Sequence, residues 1–228
     1  MELIIIIVAI IAIITIFFMM KTNVKELEKI ALDKELNSIA EKFPDNIEIG
    51  KAILEKLKNK TTKIEEDKES EATLYIAIQD KISIGNTHKS FTRIQTIAHE
   101  CLHSIQDKKM LIFNFIYSNI YLLYFAIICI LVILKKLDNT MMYSNIFLIL
   151  SFIYYVIRVF LENDAMIKAQ YIAKEYMQEQ EVVTEEEVNK IYEGFQNLNK
   201  GLIKDTNSRL FTGIMIKLVI FNVLALIF

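Results

Sequence analysis

The chain has 228 residues and a formal net charge of −2, and 54% of its residues are hydrophobic. Because the composition offers no basic excess to neutralise phosphates, it argues against a nucleic-acid-binding protein. Five glycines and one proline favour long helices over a fold rich in turns. The two cysteines, Cys101 and Cys129, are far apart in the sequence and do not indicate a disulfide framework.

Residues 1–20 are predicted to form an N-terminal transmembrane anchor. The stretch from Leu3 to Met20 contains no charged residue and is long enough to cross a bilayer core. The alternative is a signal peptide, which would have a basic start, a shorter apolar core and small residues at a cleavage site. Since Glu2 precedes the apolar run and Lys21 follows it, we favour a retained anchor.

Residues 21–110 are predicted to be the catalytic region, and they begin with helices. Helical spacing of apolar residues predicts one helix from residue 22 to a break at 44–46, where Pro-Asp-Asn precedes a second helix. The charged segment 60–70 is predicted to be a surface loop. Alternating apolar residues within 73–84 predict one strand or a strand pair, the only β signal that we find in the sequence.

A helix is then predicted over residues 90–107, with Ser90 as its N-cap, and it contains the motif H-E-C-L-H. Positions i and i+4 lie on one face of a helix, so His99 and His103 can bind the same metal ion. Glu100 lies between them, where it can act on a water molecule without binding the ion. This geometry is why H-E-x-x-H is typical of zinc metallopeptidases. The alternative is a surface helix whose two histidines have no metal.

Three further apolar runs are predicted to cross the membrane. Two of them form a transmembrane hairpin over residues 111–161, and the last is a C-terminal span over 211–228. A buried core helix is the alternative for any single run. If all four runs cross, residues 21–110 and 162–210 lie on the same side. The distribution of Lys and Arg places that side in the cytoplasm of a multi-pass cell-membrane protein.

Residues 162–210 are predicted to be helical and to supply the third zinc ligand. Thr184 and Glu187 fit a capping box at the start of a helix, and Gly201 is predicted to end that helix. A catalytic zinc ion needs three protein ligands and an open position. No histidine follows His103, and His88 is better explained as an exposed loop residue, so the third ligand should be a carboxylate.

Glu162 and Asp164 are the first acidic residues after the hairpin, on the same side of the membrane as His103. The hairpin returns the chain to that side, and Glu162 is therefore predicted to be the third ligand. The alternative for Glu162 is the polar start of a helix at the membrane surface.

Two segments resemble motifs of the neutral zinc metallopeptidase family of bacterial membrane proteins. They are AHECLHSIQD at 98–107 and ENDAMIKA at 162–169. The order of anchor, strands, metal helix, hairpin, acid-bearing helix and final span is also similar. The resemblance implies a gluzincin-like site in which Glu100 is the catalytic base and Asp164 orients a ligand. It also implies three zinc ligands, which are His99, His103 and Glu162. Leu102 departs from the family, which usually has Gly there.

The sequence thus predicts a mainly α membrane protein with about four transmembrane helices and a small zincin-like α+β catalytic part. The expected function is hydrolysis of peptide bonds in a peptide or membrane-protein substrate near the bilayer surface, with Zn²⁺ as cofactor. A catalytically silent zinc-binding scaffold or regulator is the alternative. It would be indicated by a side chain such as Cys101, Asp164 or His88 in the fourth coordination position. A metal transporter fits less well, because the candidate ligands lie near the membrane edge.

Overall fold

A computed structural model describes residues 1–19, 24–70, 72–86 and 90–228; Lys21 and His88, both considered above, lie outside the described residues. Across the described ranges the protein is mainly helical, with a small three-stranded sheet. In chain order the elements are α1 (Glu2–Met19), α2 (Val24–Ala31), α3 (Lys34–Ala40), α4 (Asn46–Lys56), β1 (Lys63–Glu66), β2 (Leu74–Ile76), β3 (Lys81–Ile84), α5 (Arg93–Ile105), α6 (Lys108–Ile133), α7 (Thr140–Gln180) and α8 (Glu185–Ile227).

Four helices, α1, α6, α7 and α8, are long and apolar enough to cross a membrane, which confirms the predicted number of such helices. The helix end predicted at Gly201 is wrong, because α8, which is 43 residues long, runs through Gly201 and ends at Ile227. A Cβ atom added at Gly201 would lie 2.6 Å from Leu27 Cδ2. Gly201 therefore permits close approach of α2 rather than ending a helix. The capping box at the start of α8 is confirmed, since Glu187 N–H donates to Thr184 Oγ1 at 3.2 Å.

The chain folds into two compact units. The first contains α1, most of α6, the first half of α7 and the last half of α8, and its segments are Met1–Thr22, Phe113–Phe160 and Lys204–Phe228. Its core is aromatic and aliphatic and includes the fully buried Phe147 and Phe221. A buried polar pair lies within this core, where Asn222 Nδ2 donates to Ser144 Oγ at 3.0 Å.

The second unit comprises Asn23–Ile112 and Leu161–Ile203 and contains every candidate site residue that the structure describes. The single helix predicted from residue 22 is in fact two helices, α2 and α3. The chain breaks because Asp33 caps α3, accepting hydrogen bonds from Glu35 N–H and Leu36 N–H at 2.9 and 3.0 Å. The predicted break before α4 is confirmed, and Asp45 is the N-cap there.

The sheet of the second unit has the strand order β1-β3-β2. Strands β2 and β3 are antiparallel, with Tyr75 opposite Ile82, and this confirms the predicted strand pair. The prediction of a surface loop over 60–70 is wrong, because that segment contains β1, which is parallel to β3. Its sequence K-I-E-E has one apolar side chain, Ile64, and so lacks the alternation by which a strand is recognised.

Candidate metal centre

Helix α5 is held rigidly in the second unit by its apolar face. Ile94, Ile97 and Ala98 are fully buried in the main core, as the helical spacing predicts. The helix begins at Arg93, with Thr92 rather than Ser90 at the N-cap. The predicted cap was wrong because Ser90 lies too far upstream, where its hydroxyl hydrogen-bonds Thr92 Oγ1 at 2.6 Å.

Three side chains converge at the open face of α5. His99 and His103 lie one turn apart on this helix, and Glu162 comes from α7. The Nε2 atoms of the two histidines are 3.0 Å apart, and Glu162 Oε2 lies 3.5 Å from the first and 3.7 Å from the second. The three groups could hold a metal ion.

The size of this triangle matches the requirements of zinc. From the sides of 3.0, 3.5 and 3.7 Å, the point equidistant from the three atoms lies about 2.0 Å from each of them. Zinc bonds to histidine nitrogen and carboxylate oxygen are about 2.0–2.2 Å long, so ligand atoms of a tetrahedral site stand about 3.3 Å apart. The side chains are already spaced for such an ion.

Glu100 lies beside the triangle but does not belong to it. One oxygen of its carboxylate is 3.9 Å from His99 Nε2. The other oxygen accepts a hydrogen bond from the backbone N–H of Tyr75 on β2 at 2.6 Å. The carboxylate is therefore held between the candidate metal ligands and the edge strand β2 of the sheet.

The electrostatics of the site reflect its burial and its paired charges. Burial raises the pKa of Glu100, although the two histidines act in the opposite direction. Burial lowers the pKa of His103, but the carboxylates of Glu162 and Glu100 raise it more strongly, and the pKa lies above its ordinary value. The site thus favours positive charge, which suits a cation held by two imidazoles and one carboxylate.

Asp164 and Gln106 form a polar connection behind His103. Gln106 Oε1 lies 2.8 Å from His103 Nδ1, and Gln106 Nε2 donates to Leu161 O at 2.9 Å and to Asp164 Oδ2 at 3.1 Å. Lys168 holds the other Asp164 oxygen at 2.6 Å. Asp164 therefore reaches a histidine through Gln106, not directly.

Two of the three side chains considered for a fourth coordination position, Cys101 and Asp164, have other partners, and the third, His88, lies outside the described residues. Cys101 is fully buried, and its Sγ faces Gly50 O at 3.8 Å. Burial also raises the pKa of the Cys101 thiol, which disfavours the thiolate that zinc would require. Asp164 is held by Lys168 and Gln106. Within the described residues, the group that stands next to the three ligand atoms is Glu100.

Leu102 has a place in the core of the second unit. It is 4% exposed and packs in the same cluster as Ile97 and Cys101. Gly50 of α4 lies beside both α5 and β1. A Cβ atom added there would lie 2.6 Å from Ile64 Cδ1 on β1, and 3.4 Å, an ordinary van der Waals distance, from Ile97 Cγ2 on α5. Gly50 therefore permits the close packing of Ile64 of β1 against α4.

Sequence reasoning missed two residues of this site, Tyr75 and Gln106. Tyr75 contributes its backbone N–H, which no side-chain pattern reveals. Gln106 stands three residues after His103, directly past the last residue of α5. A side chain that can form hydrogen bonds, three residues after a candidate metal-binding histidine, is the sequence feature that could have identified Gln106.

No family model, curated protein or solved structure matches this chain. The resemblance of the two short motifs to a metallopeptidase family therefore stays a prediction, and the geometry described above is the basis for assigning a function.

Proposed function

We propose that this protein is a membrane-bound zinc metallopeptidase of the gluzincin type. The observation that supports it best is the position of Glu100. Its carboxylate lies 3.9 Å from one imidazole of a ligand triangle with zinc dimensions, while its other oxygen is held by the edge strand. A buried carboxylate at such a place, with its pKa raised by burial, is suited to general base catalysis.

In this proposal His99, His103 and Glu162 hold the zinc ion. When bound, zinc supplies Lewis-acid chemistry, lowering the pKa of a water molecule to about 7 and polarising a carbonyl group. Glu100 takes the proton of the attacking water and passes it to the departing amine. Strand β2 lies at the edge of the sheet next to Glu100. We assign it to binding extended substrate backbone, as edge strands do in β-augmentation.

We further propose that α1, α6, the first half of α7 and the last half of α8 cross the cell membrane, with the second unit in the cytoplasm. The length and apolarity of the helices support crossing, and the flanking Lys and Arg residues support the orientation. Protease added to sealed inside-out vesicles should cut at the exposed residues 67–69, which follow β1, and right-side-out vesicles should protect them. Cutting in right-side-out vesicles alone would contradict this orientation.

The test of the catalytic proposal is the Glu100→Gln variant of the full chain in detergent. Glutamine keeps the size of the side chain but cannot accept a proton from water. We expect the variant to retain zinc and to lose proteolysis of an unfolded protein substrate by about 10²–10⁴-fold. Glu179→Gln is the matched control, because Glu179 is 60% exposed and pairs with Lys56. It should cleave as well as the wild type.

Three results would count against the proposal. They are a wild-type protein without zinc, a Glu100→Gln variant as active as the wild type, and zinc-loaded wild type that cleaves no peptide bond. The last result would favour the alternative, a zinc-binding membrane scaffold without catalytic activity.

A further inference from the structure

We infer that Gln106 is a positioning residue of the site. It fixes the tautomer and ring orientation of His103, and it connects the end of α5 to the turn of α7 that carries Glu162. This inference rests on the ligand set of the proposed function. It does not depend on whether the protein cleaves peptides.

The orientation of the Gln106 amide follows from its partners. Leu161 offers a backbone carbonyl oxygen at 2.9 Å, and Asp164 offers a carboxylate oxygen at 3.1 Å. The Leu161 carbonyl oxygen can only accept a hydrogen bond, and the Lys168 ammonium lies 2.6 Å from the other Asp164 oxygen, so the Asp164 carboxylate accepts as well. The Gln106 nitrogen must therefore face α7.

The tautomer of His103 follows from the same constraint. With the nitrogen of Gln106 facing α7, its oxygen Oε1 faces His103 Nδ1 at 2.8 Å. An amide oxygen only accepts, so the proton of the neutral imidazole sits on Nδ1. The lone pair is then on Nε2, the atom that faces His99 and Glu162. Hydrogen bonds of this kind set the orientation and basicity of metal-binding histidines.

The backbone of Gln106 makes this contact rigid. Gln106 is the C-cap of α5, in an extended conformation, and its N–H hydrogen-bonds the carbonyl oxygens of Leu102 and His103. Its side chain bonds Leu161, the neighbour of Glu162. One residue therefore connects the helix that supplies two ligands with the helix turn that supplies the third.

The test compares Gln106→Met with Gln95→Met in the full-length protein. Gln95 is a matched control, because it lies on the same helix, is buried, and donates to Asn199 Oδ1 at 3.0 Å rather than bonding a histidine. Both variants lose a side-chain amide hydrogen bond, part-buried at Gln106 and buried at Gln95, and should melt at reduced temperatures without metal. Zinc affinity, measured by chelator competition, should fall about 10–100-fold in Gln106→Met. It should change less than about threefold in Gln95→Met, whose side chain lies outside the ligand shell.

The tautomer gives a readout that a merely structural role would not change. The chain has three histidines, so their imidazole nitrogens can be resolved by ¹⁵N NMR of the metal-free protein. In its neutral form, His103 should have its proton on Nδ1 in the wild type, whereas Gln106→Met should show a mixture of the two tautomers.

The positioning role is overturned if Gln106→Met binds zinc as tightly as the wild type. It is equally overturned if Gln95→Met loses as much affinity, or if the tautomer of His103 is the same in Gln106→Met as in the wild type. A wild type that binds no zinc removes the metal centre and this role with it. If the affinities change as expected but no peptide is cleaved, the positioning role stands and the peptidase proposal fails.

Discussion

Replacing Glu162 by glutamine changes the charge of the ligand triangle but hardly changes its shape. The variant keeps the length of the side chain and an oxygen atom that can lie 3.5 Å from His99 Nε2. It loses the negative charge that balances a divalent cation between two imidazoles. Because α7 and α5 are also connected through Gln106, we expect the fold to survive the change.

The size of the effect can be worked from the ligand count. Structural sites with four ligands bind zinc with a binding free energy of about 10–16 kcal/mol, or about 3 kcal/mol for each ligand. Since about 1.4 kcal/mol corresponds to a factor of ten, Glu162→Gln should weaken zinc binding about 10²-fold. Glu162→Ala, which removes the ligand atom altogether, should weaken zinc binding at least as much.

The assay is competition between the detergent-solubilised protein and a chromophoric chelator for zinc. Glu175→Gln is the matched control, because Glu175 lies on the same helix, is 54% exposed and pairs with Lys56 at 3.1 Å. It should bind zinc like the wild type. If Glu162→Gln also binds zinc like the wild type, the assignment of the third ligand is refuted.

Two further predictions concern the support of the site. Leu102→Ala should destabilise the protein by about 2–5 kcal/mol in thermal or denaturant unfolding, because it leaves a cavity in the main core. The control is Leu32→Ala, at a leucine that is 66% exposed, which should change stability by less than about 0.5 kcal/mol. Equal effects of the two substitutions would contradict the packing of Leu102. Asp80 accepts hydrogen bonds from Tyr75 and from the hydroxyls of Thr61 and Thr62. Burial raises its pKa, but these bonds lower it more, so the folded pKa lies below the unfolded value of about 3.9. The stabilisation is therefore present above pH about 4 and is lost as pH falls through the folded pKa. Asp80→Asn should destabilise by about 1–2 kcal/mol at pH 7, and this difference should shrink on acidification; a constant difference would contradict the role of the charge.

The parts of the fold that depend on local spacing could be predicted from the sequence. The apolar runs predicted the long helices, and the alternation of apolar and polar residues predicted β2 and β3. Helical periodicity put His99 and His103 on one face, where the structure brings their Nε2 atoms to 3.0 Å.

The parts that depend on tertiary contacts could not be predicted. Strand β1 forms because it pairs with β3, although its own sequence has one apolar residue. Gly201 does not end α8, because its lack of a side chain serves packing against Leu27. The side chain of Gln106 is positioned by the backbone carbonyl of Leu161, and Tyr75 enters the site through its backbone N–H, and neither backbone group appears in a side-chain pattern.

The central claim, a zinc ion held by two histidines and one glutamate, is tested most directly by X-ray absorption at the zinc edge of the loaded protein. The account predicts nitrogen and oxygen neighbours at about 2.0–2.1 Å, with the scattering signature of two imidazoles. Loss of one imidazole is expected in either His99→Ala or His103→Ala. A sulfur neighbour at about 2.3 Å, or a wild-type protein that retains no zinc, would contradict it.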